Sequence, residues 1–128
     1  MNSATRLAVR KRARDRCEYC HLHQEDAPFL GHQIEHIIPR QHGGGDGIAN
    51  LALACYRCNK LKGPNLSAFD PQTAKVVRLF NPRRQRWSDH FAVRGVLVLG
   101  RSAVGRATVE LLCMNAAKRQ ALRKAIGT

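Results

Sequence analysis

Residues 34–63, IEHIIPRQHGGGDGIANLALACYRCNKLKG, set an acid, an imidazole and two amides among thiols. Glu35 and His36 are adjacent, Asn50 and Asn59 follow, and Cys55 and Cys58 form a C-x2-C pair. Packing alone has no use for that mixture. Thiols call for a soft metal, whereas the acid, the imidazole and the amides suit hydrolytic chemistry. The branched run HQIEHIIP stops at Pro39 and predicts a strand, and LALA predicts a second. Between them RQHGGGDGIAN carries four glycines in an irregular loop, where special backbone angles are expected. YRCNKLKG then starts a helix that Gly63-Pro64 ends.

Upstream, Cys17 and Cys20 form a second C-x2-C pair. Four soft thiolates in two turns suit a closed, tetrahedral structural Zn2+ site with no water. The span between Cys20 and Cys55 is longer than the ~15–20 residues of a simple zinc ribbon. The metal would therefore clamp an inserted structure, and the chemistry is to be sought inside it. A redox C-x2-C would not explain two pairs. His21 and His23 could rival a thiolate, but four thiolates already close the shell. Cys113, in an apolar helical pattern, is expected to be a small buried hydrophobe.

Inside the insertion, strand alternation points Glu35 and His36 to opposite faces, though a twisted hairpin end can bring them to one site. A Glu carboxylate and an Asn carbonyl are hard oxygen ligands suited to Mg2+ or Mn2+. An imidazole can take a proton from a water aimed at phosphorus. Singly, these residues have blander readings. His36 could be a partly buried imidazole bonded to a carbonyl, Asn50 a turn residue and Asn59 a helix cap.

The ordered run Cys17-x2-Cys20, Glu35-His36-Ile37-Ile38-Pro39, Gly43-Gly44, Asn50-Leu51 and Cys55-x2-Cys58-Asn59-x2-Lys62-Gly63 resembles the HNH endonucleases and their ββα-metal fold. The resemblance covers residues 15–66. It implies a metal-dependent nuclease that cuts DNA and leaves a 5′-phosphate. By position, His36 would be the general base, Glu35 and Asn59 the ligands of the catalytic cation, and Asn50 the residue that pins the loop. Glu35 stands where the family more often has Asp, and Asn59 where it often has His. Both keep oxygen ligation, which favours Mg2+ or Mn2+ over imidazole-bound metals. Lys62 recurs in the pattern and is expected to touch a phosphate, with Arg40, Arg57 and Lys60 flanking it.

The chain has 128 residues and a formal charge of +13, from 22 Lys and Arg against 9 Asp and Glu. Residues 1–64 hold ten of the cations and residues 65–128 twelve, so the excess is distributed and a polyanion is the expected partner. Arg83, Arg84 and Arg86 lie beside Trp87, and these arginines are further DNA candidates, while Trp87 is expected to pack. No apolar run approaches the ~18 residues of a membrane span, and no export signal is evident, so a cytoplasmic protein is expected.

The fold class expected is α+β: a zinc-stapled core over residues 1–68 and a strand-and-helix extension over 69–128, packed on the core. Residues 3–15 form a basic helix with Ser3 as N-cap and Ala4, Leu7 and Ala8 inward. AKVVRLFNP and HFAVRGVLVLG predict strands, with a turn at Arg94-Gly95. SAVGRATVELLCMN predicts a helix with Val104, Ala107, Leu111 and Leu112 on one face. Asn115 caps a last helix with Ala117, Ala121 and Ala125 inward and Lys118, Arg119, Arg123 and Lys124 outward. A DNA endonuclease acting on double-stranded DNA is the function expected. The alternative is a zinc-stabilised nucleic-acid-binding module without turnover.

Overall fold

The structure, a computed structural model, describes residues 1–28 and 30–127. The chain is α+β and divides at Asn65/Leu66 into two compact units, three residues before the expected boundary.

In the first unit the two predicted strands are β1 (Gln33–His36) and β2 (Leu51–Ala54), paired antiparallel with Glu35 opposite Ala52 and His36 opposite Leu51. β2 is buried throughout. Helix α1 (Ser3–Ala13) packs on β2, and helix α2 (Tyr56–Lys62) packs on both strands. Val9, Leu51 and Leu53 form the core, with Ala13 and Ile34 against it. Burying each of the three large side chains stabilises by roughly 1.5–3 kcal/mol.

The inward face of α1 is thus Val9 and Ala13, an i,i+4 pair, while Leu7 stays 53% exposed. The cap is Asn2, whose side chain accepts from the Thr5 amide at 2.8 Å, and Arg14 and Asp15 at positive φ end the helix early. Two arginines of α1 serve the fold. Arg12 donates to the carbonyls of Ile48 (3.0 Å) and Leu51 (2.6 Å), and Arg10 to that of His32 (3.1 Å).

The second unit holds two hairpins, β3 (Ser67–Phe69) with β4 (Val76–Arg78) and β5 (Phe91–Arg94) with β6 (Leu97–Gly100). Helix α3 (Trp87–His90) precedes β5, and helices α4 (Ala103–Leu111) and α5 (Ala117–Ile126) follow. β3 had no counterpart in the expected strands. Trp87 stacks on Phe91 at 5.0 Å, and Phe91 meets Phe80 edge-on at 5.1 Å, so the indole packs within this unit. α4 lies close to the end of α3 because Gly105 has no side chain: a Cβ there would fall 1.9 Å from the His90 carbonyl oxygen. It lies close to β6 because Gly100 has none either, since a Cβ there would fall 2.4 Å from the Arg106 nitrogen. Ala107 and Leu112 are buried as expected, beside Thr108.

The last helix departs from expectation. Ala117, Ala121 and Ala125 are exposed, and Arg119 is buried. Arg119 donates to the Leu112 carbonyl at 2.7 Å, and Arg123 to those of Met114 (2.6 Å) and Val96 (2.9 Å), so the guanidinia satisfy two carbonyls that follow α4 and one in the β5–β6 turn. Asn115 does not cap α5, which starts from Ala116 with no side-chain cap. Its amide pairs with the backbone N–H and C=O of Val98 instead. Cys113 is exposed at φ 47°, because it sits in the turn after α4 and not on its inner face. No helix among the described residues is long and apolar enough to cross a membrane.

Candidate active site and metal centre

The first knuckle is sutured to the free edge of β2: the Glu18 amide donates to the Leu53 carbonyl at 2.8 Å, and the Leu53 amide to the Glu18 carboxylate at 2.9 Å. Cys55 is the N-cap of α2, with its sulfur facing the Cys58 amide. Cys17, Cys20, Cys55 and Cys58 are thereby buried together, with all four sulfurs within 4.8 Å of one another and Cys20 Sγ to Cys55 Sγ at 3.7 Å. A tetrahedron of ~2.3 Å Zn–S bonds sets its sulfurs about 3.8 Å apart. The amides of Cys20 and Cys58 point at Cys17 Sγ and Cys55 Sγ, each at 3.5 Å, as suits sulfurs carrying negative charge. Burial, and then the neighbouring thiols, push the Cys17 thiol up; a bound cation would reverse that by holding the thiolate. The four cysteines could hold a zinc ion. His21 and His23 stand outside the cage; the His23 ring caps the turn Gln24–Asp26.

The second cluster lies on the hairpin. Ile34, Glu35, His36, Pro39, Arg40, Asn59, Gly63 and Pro64 line one cleft of about 340 Å³. β1 contributes Glu35 and His36, and α2, starting directly after the second thiolate, contributes Asn59. Asn50 closes the loop between the strands: its Oδ1 accepts from the Ile38 amide (2.9 Å), and its Nδ2 donates to the carbonyls of Ile38 (3.0 Å) and Gly45 (2.9 Å). Of the loop glycines only Gly43 has a positive φ, 88°. Gly44 is needed for space, since a Cβ would fall 1.6 Å from the Ile38 carbonyl oxygen.

The two neighbours on β1 have opposite surroundings. His36 is 20% exposed, and its Nε2 lies 2.7 Å from Asp46 Oδ1, which also accepts from Arg40 at 2.9 Å. Glu35 is buried, hydrogen-bonded by the Tyr19 hydroxyl and 3.2 Å from the Lys62 ammonium. Burial pushes the Glu35 carboxyl up against the opposing pull of Lys62 and Tyr19. Asn59, half-buried, donates to Gln33 Oε1 at 2.5 Å.

Lys62 is not placed as expected. It is 2% exposed, and its ammonium donates to the Ile37 carbonyl at 3.0 Å, with the His36 carbonyl at 3.4 Å, beside Glu35. Its place on the inner face of α2, over a buried carboxylate, turns it from a phosphate contact into an internal counter-ion. Arg40 borders the cleft, and Arg57 and Lys60 are exposed on α2, with Lys60 5.7 Å over the Tyr56 ring. In the second unit Arg84 and Arg86 are exposed and Arg83 is half-buried. Sequence reasoning missed Tyr19, Gln33 and Asp46. Tyr19 sits inside a C-x2-C turn, where a large ring must pack somewhere. Asp46, the lone acid of the glycine loop, was the one visible signal.

A family model for HNH endonuclease matches residues 17–65. The Septu protein PtuB of Bacillus thuringiensis is 27% identical over 113 residues, which cover 86% of this chain and 40% of that protein. The chain therefore spans less than half the length of this curated relative. No solved structure matches the chain. The matched span begins at the first thiolate, ends two residues beyond Gly63, and includes both the cage and the cleft, so residues 17–65 carry the likeness to the HNH endonucleases.

Proposed function

We propose that the protein is a metal-dependent endonuclease that hydrolyses phosphodiester bonds in double-stranded DNA, with the thiolate cage holding structural zinc. The observation that carries this reading is that Glu35, His36 and Asn59 line one cleft beside the cage. The donor set fits a hard cation. A carboxylate has about four lone-pair directions, of which Tyr19 and Lys62 take two, and the Asn59 carbonyl oxygen is a second hard donor. Glu35 and Asn59 would hold Mg2+ or Mn2+, which supplies charge stabilisation at the leaving oxygen. His36 takes the proton of a water as its oxygen bonds to phosphorus. The P–O3′ bond then breaks, leaving a 5′-phosphate and, once protonated, a 3′-hydroxyl. Arg40, Arg57, Lys60, Arg83, Arg84 and Arg86 would meet backbone phosphates.

Nicking of supercoiled plasmid in Mg2+ or Mn2+ tests the reading. Cleavage that stops with chelator and with His36→Ala is expected; a general base contributes roughly 10²–10⁴ in rate. A His36→Ala protein that cuts like the parent would refute it. The rival, a zinc-stabilised binding module without turnover, draws on one observation, that Glu35 is already paired with Lys62 and Tyr19. It predicts DNA binding and no nicking in any cation.

A further inference from the structure

The acid of the glycine loop is unused so far. Asp46 Oδ1 is 2.7 Å from His36 Nε2 and 2.9 Å from Arg40 Nη2. Its place is built by the loop: Asn50 holds the carbonyl of the preceding residue, Gly45, at 2.9 Å, and the lack of a Cβ at Gly44 lets the chain pass against Ile38. An ionised carboxylate only accepts hydrogen bonds, so a neutral His36 in this contact must carry its proton on Nε2. Its other nitrogen, Nδ1, is then the one with a free lone pair.

We propose that Asp46 is the positioning residue of the cleft: its carboxylate fixes His36 as the Nε2–H tautomer, so that Nδ1 is the atom that takes the water proton. As the water is deprotonated, the imidazole gains a second proton and becomes a cation, which the Asp46 carboxylate stabilises. Arg40, on the same oxygen, holds the carboxylate in place. The hydrogen bond from His36, followed by that from Arg40, keeps the Asp46 carboxyl below its ordinary range despite some desolvation, consistent with a permanent acceptor. The assignment rests on the nuclease reading for its chemistry but not for its tautomer.

Two measurements on the full chain test it. ¹⁵N shifts of the His36 ring in alkaline buffer should report the Nε2–H tautomer in the parent and a mixture in Asp46→Ala. Nicking at saturating DNA should fall about 10–100-fold in Asp46→Ala, the range for loss of an orienting partner, with KM for DNA and zinc content unchanged. Asp46→Glu, whose carboxylate only accepts hydrogen bonds, should recover part of the loss, whereas Asp46→Asn, which loses the charge and can turn an N–H toward the ring, should not. An Nδ1–H tautomer in the parent overturns the assignment whether or not DNA is cut. So does an Asp46→Ala protein that nicks at the parental rate, or one whose defect lies in KM alone. A parent that shows the Nε2–H tautomer yet cuts nothing overturns the nuclease reading instead.

Discussion

Among the described residues each unit buries one carboxylate against one cation, and the two pairs behave in opposite ways. In the second unit Asp70, fully buried, is held by the Arg106 guanidinium at 2.8 and 2.9 Å, by the Gln72 amide and by the Thr73 hydroxyl. Those bonds, Arg106 first, hold its carboxyl far below the ordinary range. In the first unit Glu35 has Lys62 and Tyr19, and burial still pushes it up. A bidentate guanidinium with backbone support satisfies a carboxylate, whereas a single ammonium that also serves two carbonyls leaves it short of partners. An acid left short of partners beside a cleft is what a hard cation would complete. Asp70 bolts a fold, and Glu35 is the acid that the proposed cation would complete.

The largest effect expected is on the cage. Cys17→Ser or Cys58→Ser should release zinc and unfold the first unit, because zinc-finger-sized sites draw about 10–16 kcal/mol from the metal. Zinc content and hydrogen exchange at Leu51 and Leu53 against Phe91 and Val98 would show it. Retained zinc with native protection at Leu53 would mean that the cage is dispensable.

Breaking the counter-ion comes next. Lys62→Met strands a buried carboxylate and should destabilise by ~3–5 kcal/mol, whereas Arg40→Ala, at an exposed pair, should cost no more than about 1 kcal/mol. Equal losses in denaturant melts would make Lys62 a surface residue in energetic terms.

Acid should separate the two pairs by sign. The folded pKa of Asp70 lies below its unfolded value, so its contribution is full above the ordinary Asp range and is lost as pH falls through the folded value. The folded pKa of Glu35 lies above its unfolded value, so its ionised form weakens the fold at neutral pH, and protonation on acidification relieves that. Replacing Asp70 by Asn should therefore flatten the acid limb of the stability curve, and Glu35→Gln should lower the relief between pH 7 and the ordinary Glu range. A Glu35→Gln curve parallel to that of the parent would contradict the burial account.

The smallest effect is graded. DNA affinity should fall steeply with salt, and each of Arg57→Ala and Arg84→Ala should remove about one unit or less of the log–log slope. A slope unchanged by both would take these arginines off the DNA.

Much of the first unit was legible because its signals are local and discrete. Two thiol pairs, a branched run ended by Pro39 and a Gly-Pro stop gave β1, β2, α2 and the cage. Lys62 was misplaced because an i,i+4 face and a turn of helix decide burial, and a spaced motif records neither. The inner face of α5 was inverted for a similar reason. Alanine periodicity is weak evidence of burial, and the carbonyls after α4 drew Arg119 and Arg123 inward. Asp46 was missed because its partner lies ten residues away across a loop whose shape depends on Asn50.

The central claim is a division of labour, with the cage structural and the cleft catalytic. Zinc content and plasmid nicking measured on the same samples of the parent, Cys58→Ser and Glu35→Gln test it most directly, since glutamine keeps the side chain's size and one acceptor oxygen while removing the charge. Glu35→Gln should hold one zinc per chain and lose nicking, or need far more Mg2+, while Cys58→Ser should lose zinc and nicking together. A Glu35→Gln protein that nicks normally, or a Cys58→Ser protein that stays folded and active, would contradict the division.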